Sequence, residues 1–396
     1  MRFLSLCLGL LVAAFVATPG TAREIKSFDD GWLFLQAAAA GAEQPGFADD
    51  HWRRLDVPHD WSIAGPFSPT NGTGGAGGFL PAGTGWYRKH FTLPDADANQ
   101  SVTVEFEGVM ANSDVWINGF HLGHRPFGYV GLNYELTGQL HFGGDNVIAV
   151  RCDNSRQPAS RFYAGAGIYR QVWLVITSPV HIQPWGVFVS TPQVAATQAT
   201  VRVETTVANE SRLPQAVTVQ TTLLSPEGQA VACIETQATL PGTPGTAPAN
   251  DHPTPKLAGT VPGAPVVQQI VLPDPQLWDL ATPNLYRAVS LVRAGGKILD
   301  AETNVFGIRD AHFEAATGFW LNGKNFKLKG VCLHADAAAF GLAVPEDEWI
   351  HRLEALKEYG ANAVRTAHNP PSPEFLDACD KVGMLVMDEM FDCWTV

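Results

Sequence analysis

Polar side chains able to do chemistry occur at three places towards the end of the chain, each after a short apolar run. They are, in chain order, His334, Asp336, Arg365, His368, Asn369, Asp388 and Glu389. Carboxylates accept hydrogen bonds and exchange protons, Arg presents a fixed fork of donors, and a neutral His both donates and accepts. Such a set can hold and orient a polar ligand if the fold brings the three places together.

From Gly318 the chain alternates between strand-like and helix-like stretches, which predicts a parallel sheet with crossover helices. Strands are predicted near 327–333, 362–366 and 384–387. The polar residues that follow them are expected at the carboxyl ends of barrel strands, where a barrel keeps its site. Since a complete eight-stranded barrel needs about 250 residues, this segment is interpreted as the first part of a barrel.

Two crossover helices are specified by their ends. The first is predicted over 346–359, with three acids in its first turn and Gly360 as its terminator. The second is predicted to start at Pro373, after Ser372 as N-cap, and to end at Gly383. The residues expected on their apolar faces are Trp349, Ile350, Leu353 and Leu356 in the first helix, and Phe375, Leu376, Cys379 and Val382 in the second.

The chain before this segment shows the pattern of two successive β-sandwiches. From about Glu24 to Ser178, short alternating runs are separated by Gly, Asn and Asp. One of them places Val115 and Ile117 on the same face, and the Asn-Gly pair that follows predicts a hairpin turn. A second β-rich stretch runs from about 181 to 309 and contains a Pro- and Gly-rich segment at 241–265, predicted to be a long exposed loop.

Charge and the first residues narrow the class of protein. The 396-residue chain has a formal net charge of -13 and no run of Lys or Arg, which argues against nucleic acid and anionic membranes as partners and favours a neutral ligand. Residues 1–22 combine Arg2, an apolar stretch and small residues before the expected cut, which predicts a cleaved secretory signal. A membrane anchor is the alternative, but the apolar stretch is shorter than the ~20 residues of a spanning helix.

Several motifs occur in a fixed order along the chain. They are PHDW at 58–61, WYRK at 86–89, VWING at 115–119, GAGIYRQVW at 165–173, FGIR at 306–309 and NAVRTAHNPPSPEFLDACDKVGMLVMDE from Asn362. This order resembles glycoside hydrolase family 2, the family of β-galactosidases, β-glucuronidases and β-mannosidases. After the predicted signal peptide at 1–22, the resemblance implies a jelly-roll sugar-binding domain at 23–178, an immunoglobulin-like β-sandwich at 179–310, and part of a (β/α)8 TIM barrel at 311–396.

The resemblance also implies a site. Retaining glycosidases use two carboxylates about 5–5.5 Å apart, and the family places them after the fourth and seventh barrel strands. This chain is expected to stop after the third, so no catalytic residue is assigned. Asp336 would accept hydrogen bonds from sugar hydroxyls, Arg365 would orient the nucleophilic carboxylate, and His368 would donate to the sugar. The full set of implied substrate-binding residues is His334, Asp336, Arg365, His368 and Asn369.

Other polar residues near this rim are given different roles. Neighbours on a strand point to opposite faces, so Asp388 and Glu389 are not expected to flank one bond; one of them is expected to support the site. Asp392 and Trp394 are placed beside the substrate by the resemblance. Cys393 stands where some relatives have a magnesium ligand, so no metal or other cofactor is predicted. Arg161 stands where some relatives carry a sugar-contacting Asp.

Two further patterns are interpreted as structural. His59 and Asp60 form a catalytic pair on paper, but they are expected to support the first sandwich. The glycine-rich stretch from Asn71 precedes no helix and lacks a Lys followed by Ser or Thr, so it is predicted to be a loop and not a phosphate cradle. The Cys residues show no CxxC spacing and predict neither a disulfide framework nor a zinc site.

The sequence therefore predicts the front portion of a secreted or periplasmic hydrolase of terminal β-linked sugars. The strings GVCLHAD and DEMFDCW resemble the β-galactosidase branch, which favours β-galactosides. The expected partner is a carbohydrate substrate, without nucleic acid, without a membrane after signal cleavage, and with a homo-oligomer as one expected state. The alternative is a non-catalytic carbohydrate-binding or accessory protein. By itself the chain is expected to be inactive.

Overall fold

The computed structural model of the protein describes residues 23–243 and 263–392. The predicted signal peptide, most of the loop predicted at 241–265, and Trp394 lie outside these residues. Strands predominate, and both α-helices of the described part come after residue 345. Neither of these helices has the length and apolar character needed to cross a bilayer.

The first domain is a sandwich of two antiparallel sheets. Its strands are β1 Glu24–Ser27, β2 Trp32–Leu35, β3 Arg53–Leu55, β4 Thr84–Thr92, β5 Ser101–Phe106, β6 Val109–Met110, β7 Ser113–Ile117, β8 Phe120–Arg125, β9 Leu132–Glu135, β10 Asp145–Asp153, β11 Gly167–Ile168 and β12 Val172–Thr177. One sheet has the order β1-β12-β5-β9 and the other β3-β2-β4-β10-β7-β8. An aromatic core that includes Trp32, Tyr87 and Phe106 fills the space between them.

The hairpin predicted after Ile117 is confirmed. Val115 and Ile117 are fully buried between the two sheets, whereas Trp116, between them in the sequence, is half-buried. Asn118 and Gly119 have φ values of 50° and 83°, as a two-residue turn between β7 and β8 requires. The period of two in the sequence therefore sets which face of β7 enters the core.

The second domain is a smaller sandwich of seven strands in the described residues. They are β13 Val180–Ala195, β14 Gln198–Asn209, β15 Gln215–Leu224, β16 Ala230–Leu240, β17 Ala264–Pro273, β18 Leu285–Ala294 and β19 Lys297–Gly307. The sheet β13-β14-β17 packs on the sheet β16-β15-β18-β19. Val201, Val203 and Leu223 belong to the core that joins them.

The last segment begins with an antiparallel sheet and continues as a parallel one. The antiparallel strands are β20 Ala311–Glu314, β21 Gly318–Leu321 and β22 Lys324–Phe326. The parallel sheet has the order β23-β24-β25, formed by β23 Gly330–Leu333, β24 Ala363–Thr366 and β25 Leu385–Met387, with crossover helices α1 Glu346–Glu358 and α2 Pro373–Val382. The predicted βαβαβ pattern is confirmed.

The helix ends are confirmed, and two details of the prediction are wrong. The Ser372 hydroxyl caps α2 by accepting the N–H of Phe375 at 3.3 Å, and Gly383 ends α2 with a φ of 78°. Leu376, predicted on the apolar face, is 37% exposed, because it follows Phe375 by about 100° around the helix. The strand predicted from 327 starts only at Gly330, because the carbonyl of Lys327 and the N–H of Lys329 bond to the side chain of Asn362.

The first sandwich docks on the barrel segment through buried polar contacts. Asp60 accepts hydrogen bonds from the N–H groups of Ser62 and Ala166 at its Oδ1 atom. At Oδ2 it accepts the N–H of Leu342, from the barrel segment, at 2.9 Å and the hydroxyl of Tyr163 at 2.7 Å. Burial raises the pKa of this carboxyl, while the four hydrogen bonds favour its charged form. Asp60 thus has the structural role expected of it.

Candidate functional site

Arg365, on β24, forms a compact charged cluster with Glu389 and His368. Its Nε atom donates to Oε1 of Glu389 at 2.6 Å, and Nδ1 of His368 lies 3.0 Å from Oε2 of the same carboxylate. The guanidinium also reaches Nδ1 of His368 at 3.3 Å and Sγ of Cys332, on β23, at 3.2 Å. Parallel pairing of the three strands brings these groups to one rim, and Cys332 was not among the residues predicted there.

Both partners of the central ion pair are charged at neutral pH. Partial desolvation acts to raise the pKa of the Glu389 carboxyl. Hydrogen bonds from Arg365 and His368 outweigh it and hold this pKa below its ordinary value. Hydrogen bonds to Cys332 and then to Glu389 raise the pKa of Arg365. Since both oxygens of Glu389 are engaged, this carboxylate is suited to orienting its neighbours.

Asp388 and Glu389 face different partners, as the sequence predicts for neighbours. Asp388 accepts a hydrogen bond from the Thr366 hydroxyl at 3.2 Å. The same hydroxyl accepts the N–H of Glu389 at 3.0 Å. Asp388 and Glu389 therefore do not form a pair of carboxylates across one ligand.

Aromatic contacts add His334 to the cluster. The rings of His334 and His368 are 5.7 Å apart between centroids. Phe162, from the first sandwich, packs against both, at 4.9 Å from His334 and 5.5 Å from His368. A loop of the sandwich thus fixes the imidazoles at the ends of two barrel strands.

Asn369 and Asp336 differ in their relation to this cluster. Asn369 is only 3% exposed, and its Nδ2 atom has no hydrogen-bond partner among the described residues. Asp336 is half-buried, and its backbone carbonyl accepts a hydrogen bond from Arg352 at 3.0 Å. No hydrogen bond in the described structure joins the Asp336 carboxylate to Arg365 or His368. The role of Asp336 in binding stays a prediction.

A cavity of about 500 Å³ lies between the sandwich and the barrel rim. Three sandwich loops, at 110–112, 126–129 and 159–164, form one wall, and His368, Asn369 and Asp392 belong to the other. This volume falls within the ~300–1,000 Å³ typical of small-ligand sites. A second cavity, of about 140 Å³, lies behind the rim against α1 and α2, where largely apolar residues such as Trp349 and Phe375 line it.

The residues that the sandwich brings to the larger cavity were not predicted from the sequence. They include Asn112, Phe127, Tyr129, Ser160 and Phe162. Phe127 and Phe162 stand in loops, outside the alternating runs that supply the sandwich core. An aromatic residue that no strand pattern explains is the only signal that marks them in the sequence. Such rings can stack on an apolar ligand face.

Arg161, from the first sandwich, and Asp392, from the barrel segment, line the cavity and form an ion pair between the two domains. A single guanidinium nitrogen of Arg161 lies 3.0 Å from Oδ1 and 2.9 Å from Oδ2 of Asp392. Their side chains are 53% and 21% exposed. Both were named from the sequence, but their pairing was not predicted.

Other titratable groups near the sandwich serve packing. Desolvation, and then the charge of Arg53, lower the pKa of the half-buried His59 to about 4, and its Nδ1 atom lies 2.8 Å from the Tyr87 hydroxyl. His59 is therefore neutral at physiological pH. Among residues 23–243 and 263–392, no group of three His, Cys, Asp or Glu side chains is arranged to hold a metal ion.

Known sequence families account for most of the chain in consecutive blocks. The sugar-binding domain of the family 2 glycosyl hydrolases matches 78–179, a second family 2 domain matches 180–309, and the family 2 TIM barrel domain matches 315–392. The order is that of the two sandwiches and the barrel segment. The chain belongs to glycoside hydrolase family 2.

Similar family 2 proteins are considerably longer than this chain. It is 45% identical over 374 residues to the β-galactosidase BoGH2A of Bacteroides ovatus. The aligned region is 94% of this chain but only 42% of that protein. A putative β-glucuronidase of Formosa agariphila is 34% identical, and the aligned region is 98% of this chain and 35% of that protein. The crystal structure of a family 2 member from Bacteroides cellulosilyticus superposes with a TM-score of 0.86 at 38% identity. The superposition covers 93% of this chain and 46% of that one.

Membership of family 2 also fixes the fold class. The first sandwich is the family's jelly-roll sugar-binding domain, the second its immunoglobulin-like domain, and the βαβαβ segment is part of its TIM barrel, as predicted. The cavity lies where the family 2 sugar-binding domain meets the carboxyl ends of the barrel strands, the face on which TIM-barrel enzymes build their sites.

Proposed function

We propose that this chain forms the sugar-recognising front of a β-glycosidase that hydrolyses terminal β-linked sugars, with β-galactosides preferred and configuration retained. The observation that carries the proposal is the cavity between the sandwich loops and the barrel rim, beside Arg365, His368 and Glu389. In this proposal the terminal sugar occupies that cavity. The cleaved bond faces the barrel interior.

The residues of the cavity suit a neutral sugar. Phe127 and Phe162 supply apolar ring faces, against which the C–H face of a pyranose packs. Asn112, Ser160 and Asn369 supply donors and acceptors for hydroxyl groups. The Nδ2 atom of Asn369 and the hydroxyl of Tyr129 are buried without a partner in the described structure, so both are donors that need one.

Arg365 and Glu389 contribute to the reaction by orienting other groups. Held by Glu389, the guanidinium keeps donors at the rim that can orient a nucleophilic carboxylate from a later strand. The Nδ1 atom of His368 contacts the same carboxylate, so with its proton on Nδ1 the neutral ring accepts a hydrogen bond from a sugar hydroxyl at Nε2. In the family pattern both catalytic carboxylates follow later barrel strands, and retention requires them about 5–5.5 Å apart.

The β-galactoside preference draws on the charge balance of the cavity and on one relative. Among the described residues, Arg161 and Asp392 are the Arg and the carboxylate of the cavity wall, and they form an ion pair. The 45% identical relative is a β-galactosidase, although others are β-glucuronidases. A neutral wall favours a neutral sugar over a uronic acid.

An accessory sugar-binding protein is the second candidate. It is favoured by the carboxylates of the described residues near the rim: Glu389 is occupied by Arg365 and His368, and Asp388 by Thr366. A protein with only these carboxylates would bind a sugar without cleaving it.

A panel of 4-nitrophenyl β-glycosides, assayed with the protein expressed from its native gene, separates the candidates. The expected result is fastest turnover of the galactoside, with the β-anomer of galactose as the first product seen by NMR. Fastest turnover of the glucuronide or mannoside would refute the preference, and an α-anomer as first product would refute retention. Galactose binding without hydrolysis of any glycoside would favour the accessory protein.

We also propose export, with cleavage before Arg23. Arg23, the first residue after the predicted signal, donates to the fully buried Asp300 at 2.9 Å and so takes part in the tertiary structure. Mass spectrometry of the exported protein is expected to find Arg23 as its first residue. Retention of residues 1–22 would refute the proposal.

A further inference from the structure

The ion pair between Arg161 and Asp392 lies in the wall of the cavity that the proposed function assigns to the sugar. Arg161 comes from the sugar-binding domain, and Asp392 follows the third barrel strand, β25. One guanidinium nitrogen contacts both carboxylate oxygens, at 3.0 and 2.9 Å. The pair therefore lies where a bound sugar and both domains meet.

The rest of this wall carries little charge of its own. Its polar members in the described structure, besides the pair, are Asn112, Tyr129, Ser160, His368 and Asn369. His368 lies 3.0 Å from the negatively charged Glu389, and this carboxylate makes the His368 ring less attractive to an anion. Among the described residues, Arg161 is thus the permanent cation of the wall, and Asp392 is a carboxylate that pairs with it.

A uronic acid carries a carboxylate where a neutral hexose carries a hydroxymethyl group, and this carboxylate needs a cation. A sugar carboxylate that approaches Arg161 also approaches Asp392, whose like charge repels it. A neutral sugar is not repelled by Asp392 and needs no cation, because a hydroxyl can donate to Asp392 or accept from Arg161. The pair therefore discriminates by repulsion as well as by attraction.

Resting on the proposed function, we infer that Asp392 is a specificity-determining residue, which neutralises Arg161 and so selects neutral sugars over uronic acids. Replacing Asp392 by Asn keeps the size of the side chain and an acceptor for Arg161, but removes one negative charge from the cavity. The wall then becomes more positive and accepts a sugar carboxylate more readily.

The experiment compares glucuronide with galactoside in four variants of the protein expressed from its native gene. In Asp392→Asn, the ratio of kcat/KM for 4-nitrophenyl β-glucuronide to that for the β-galactoside is expected to rise about tenfold or more. In Asp392→Glu, which keeps the charge, the ratio should stay near that of the wild type. In Arg161→Ala/Asp392→Asn, the gain should disappear, because the cation has been removed. Asp145→Asn, which removes an exposed ion-paired carboxylate outside the cavity, is the matched control and should leave the ratio unchanged.

Calorimetric titration with glucuronate and with galactose repeats the comparison without turnover, so it decides the inference even if the wild type hydrolyses neither glycoside. That failure would refute the proposed activity alone. An unchanged ratio in both assays for Asp392→Asn would overturn the inference. A rise that persists when Arg161 is also replaced would overturn it as well, because the cation would then play no part. Melting curves confirm that each variant is folded.

Discussion

Arg365 connects three groups at the barrel rim: the thiol of Cys332, the imidazole of His368 and the carboxylate of Glu389. Each of them comes from the end of a different barrel strand or from the loop after it. A planar guanidinium can satisfy them together because its donors point in several fixed directions. A Lys side chain, with one compact charge, cannot.

Replacing Arg365 by Ala is expected to lower kcat by about 100-fold with a much smaller change in KM, since the guanidinium orients reacting groups and does not fill the cavity. Arg365→Lys should recover only a small part of the loss. Steady-state kinetics with the preferred glycoside measures both effects. Arg212→Ala, at an exposed loop of the second sandwich, is the control and should behave like the wild type. Unchanged kinetics in Arg365→Ala would show that the guanidinium has only a structural role.

The sequence predicted the rim residues that follow strands, and it missed those that loops bring in. Arg365, His368 and Asn369 could be placed because a βαβ pattern fixes which ends of the strands share an edge. Phe162 could not, because its position depends on how the sandwich docks onto the barrel. Asp336 was expected on the same rim as Arg365, and the described structure shows no hydrogen bond between them.

At the scale of elements, the helix ends were predictable because they are determined by local chemistry. Ser372 can cap the first turn of α2, and Gly383 adopts a φ of 78° that favours glycine. The exposure of Leu376 was not foreseen, because a short amphipathic helix leaves the edge of its apolar face poorly defined. The small residue Ala378 enters the core in its place.

The contact between α2 and the sugar-binding domain contains two neighbouring carboxyl groups. Glu107 follows β5, and Trp173 donates to its Oε1 atom at 2.8 Å. Burial, and then the charge of Glu374 on α2, raise the pKa of Glu107 to about 8, while Arg170 opposes the shift. Glu107 is therefore protonated in the folded protein at neutral pH.

The raised pKa gives stability a defined dependence on pH. Between the ordinary value of 4.5 and about 8 the folded protein keeps a proton on Glu107 that the unfolded chain loses, so this group destabilises the fold increasingly as pH rises. Glu107→Gln lacks the titration. Its Tm, relative to the wild type, is expected to be higher at about pH 8 than at about pH 5, as measured by calorimetry. Glu24→Gln, on the exposed strand β1, is the control. A Tm difference that does not vary with pH would contradict the protonated state.

At the scale of the whole molecule, the two sandwiches and the barrel segment follow from the sequence patterns, but their docking does not. Asp60 with Leu342, and Arg170 with the carbonyl of Pro370, are contacts between residues far apart in the chain. No periodicity or spacing encodes such contacts. They create the cavity, because they hold the sandwich loops over the ends of the barrel strands.

In the proposed function, a terminal sugar binds between the sugar-binding domain and the barrel rim. The most direct test is a crystal structure of the protein with a non-hydrolysable β-thiogalactoside. The sugar is expected to lie in the cavity against Phe162, within hydrogen-bond distance of His368 or Asn369. A sugar bound elsewhere, with this cavity filled only by water, would contradict the claim.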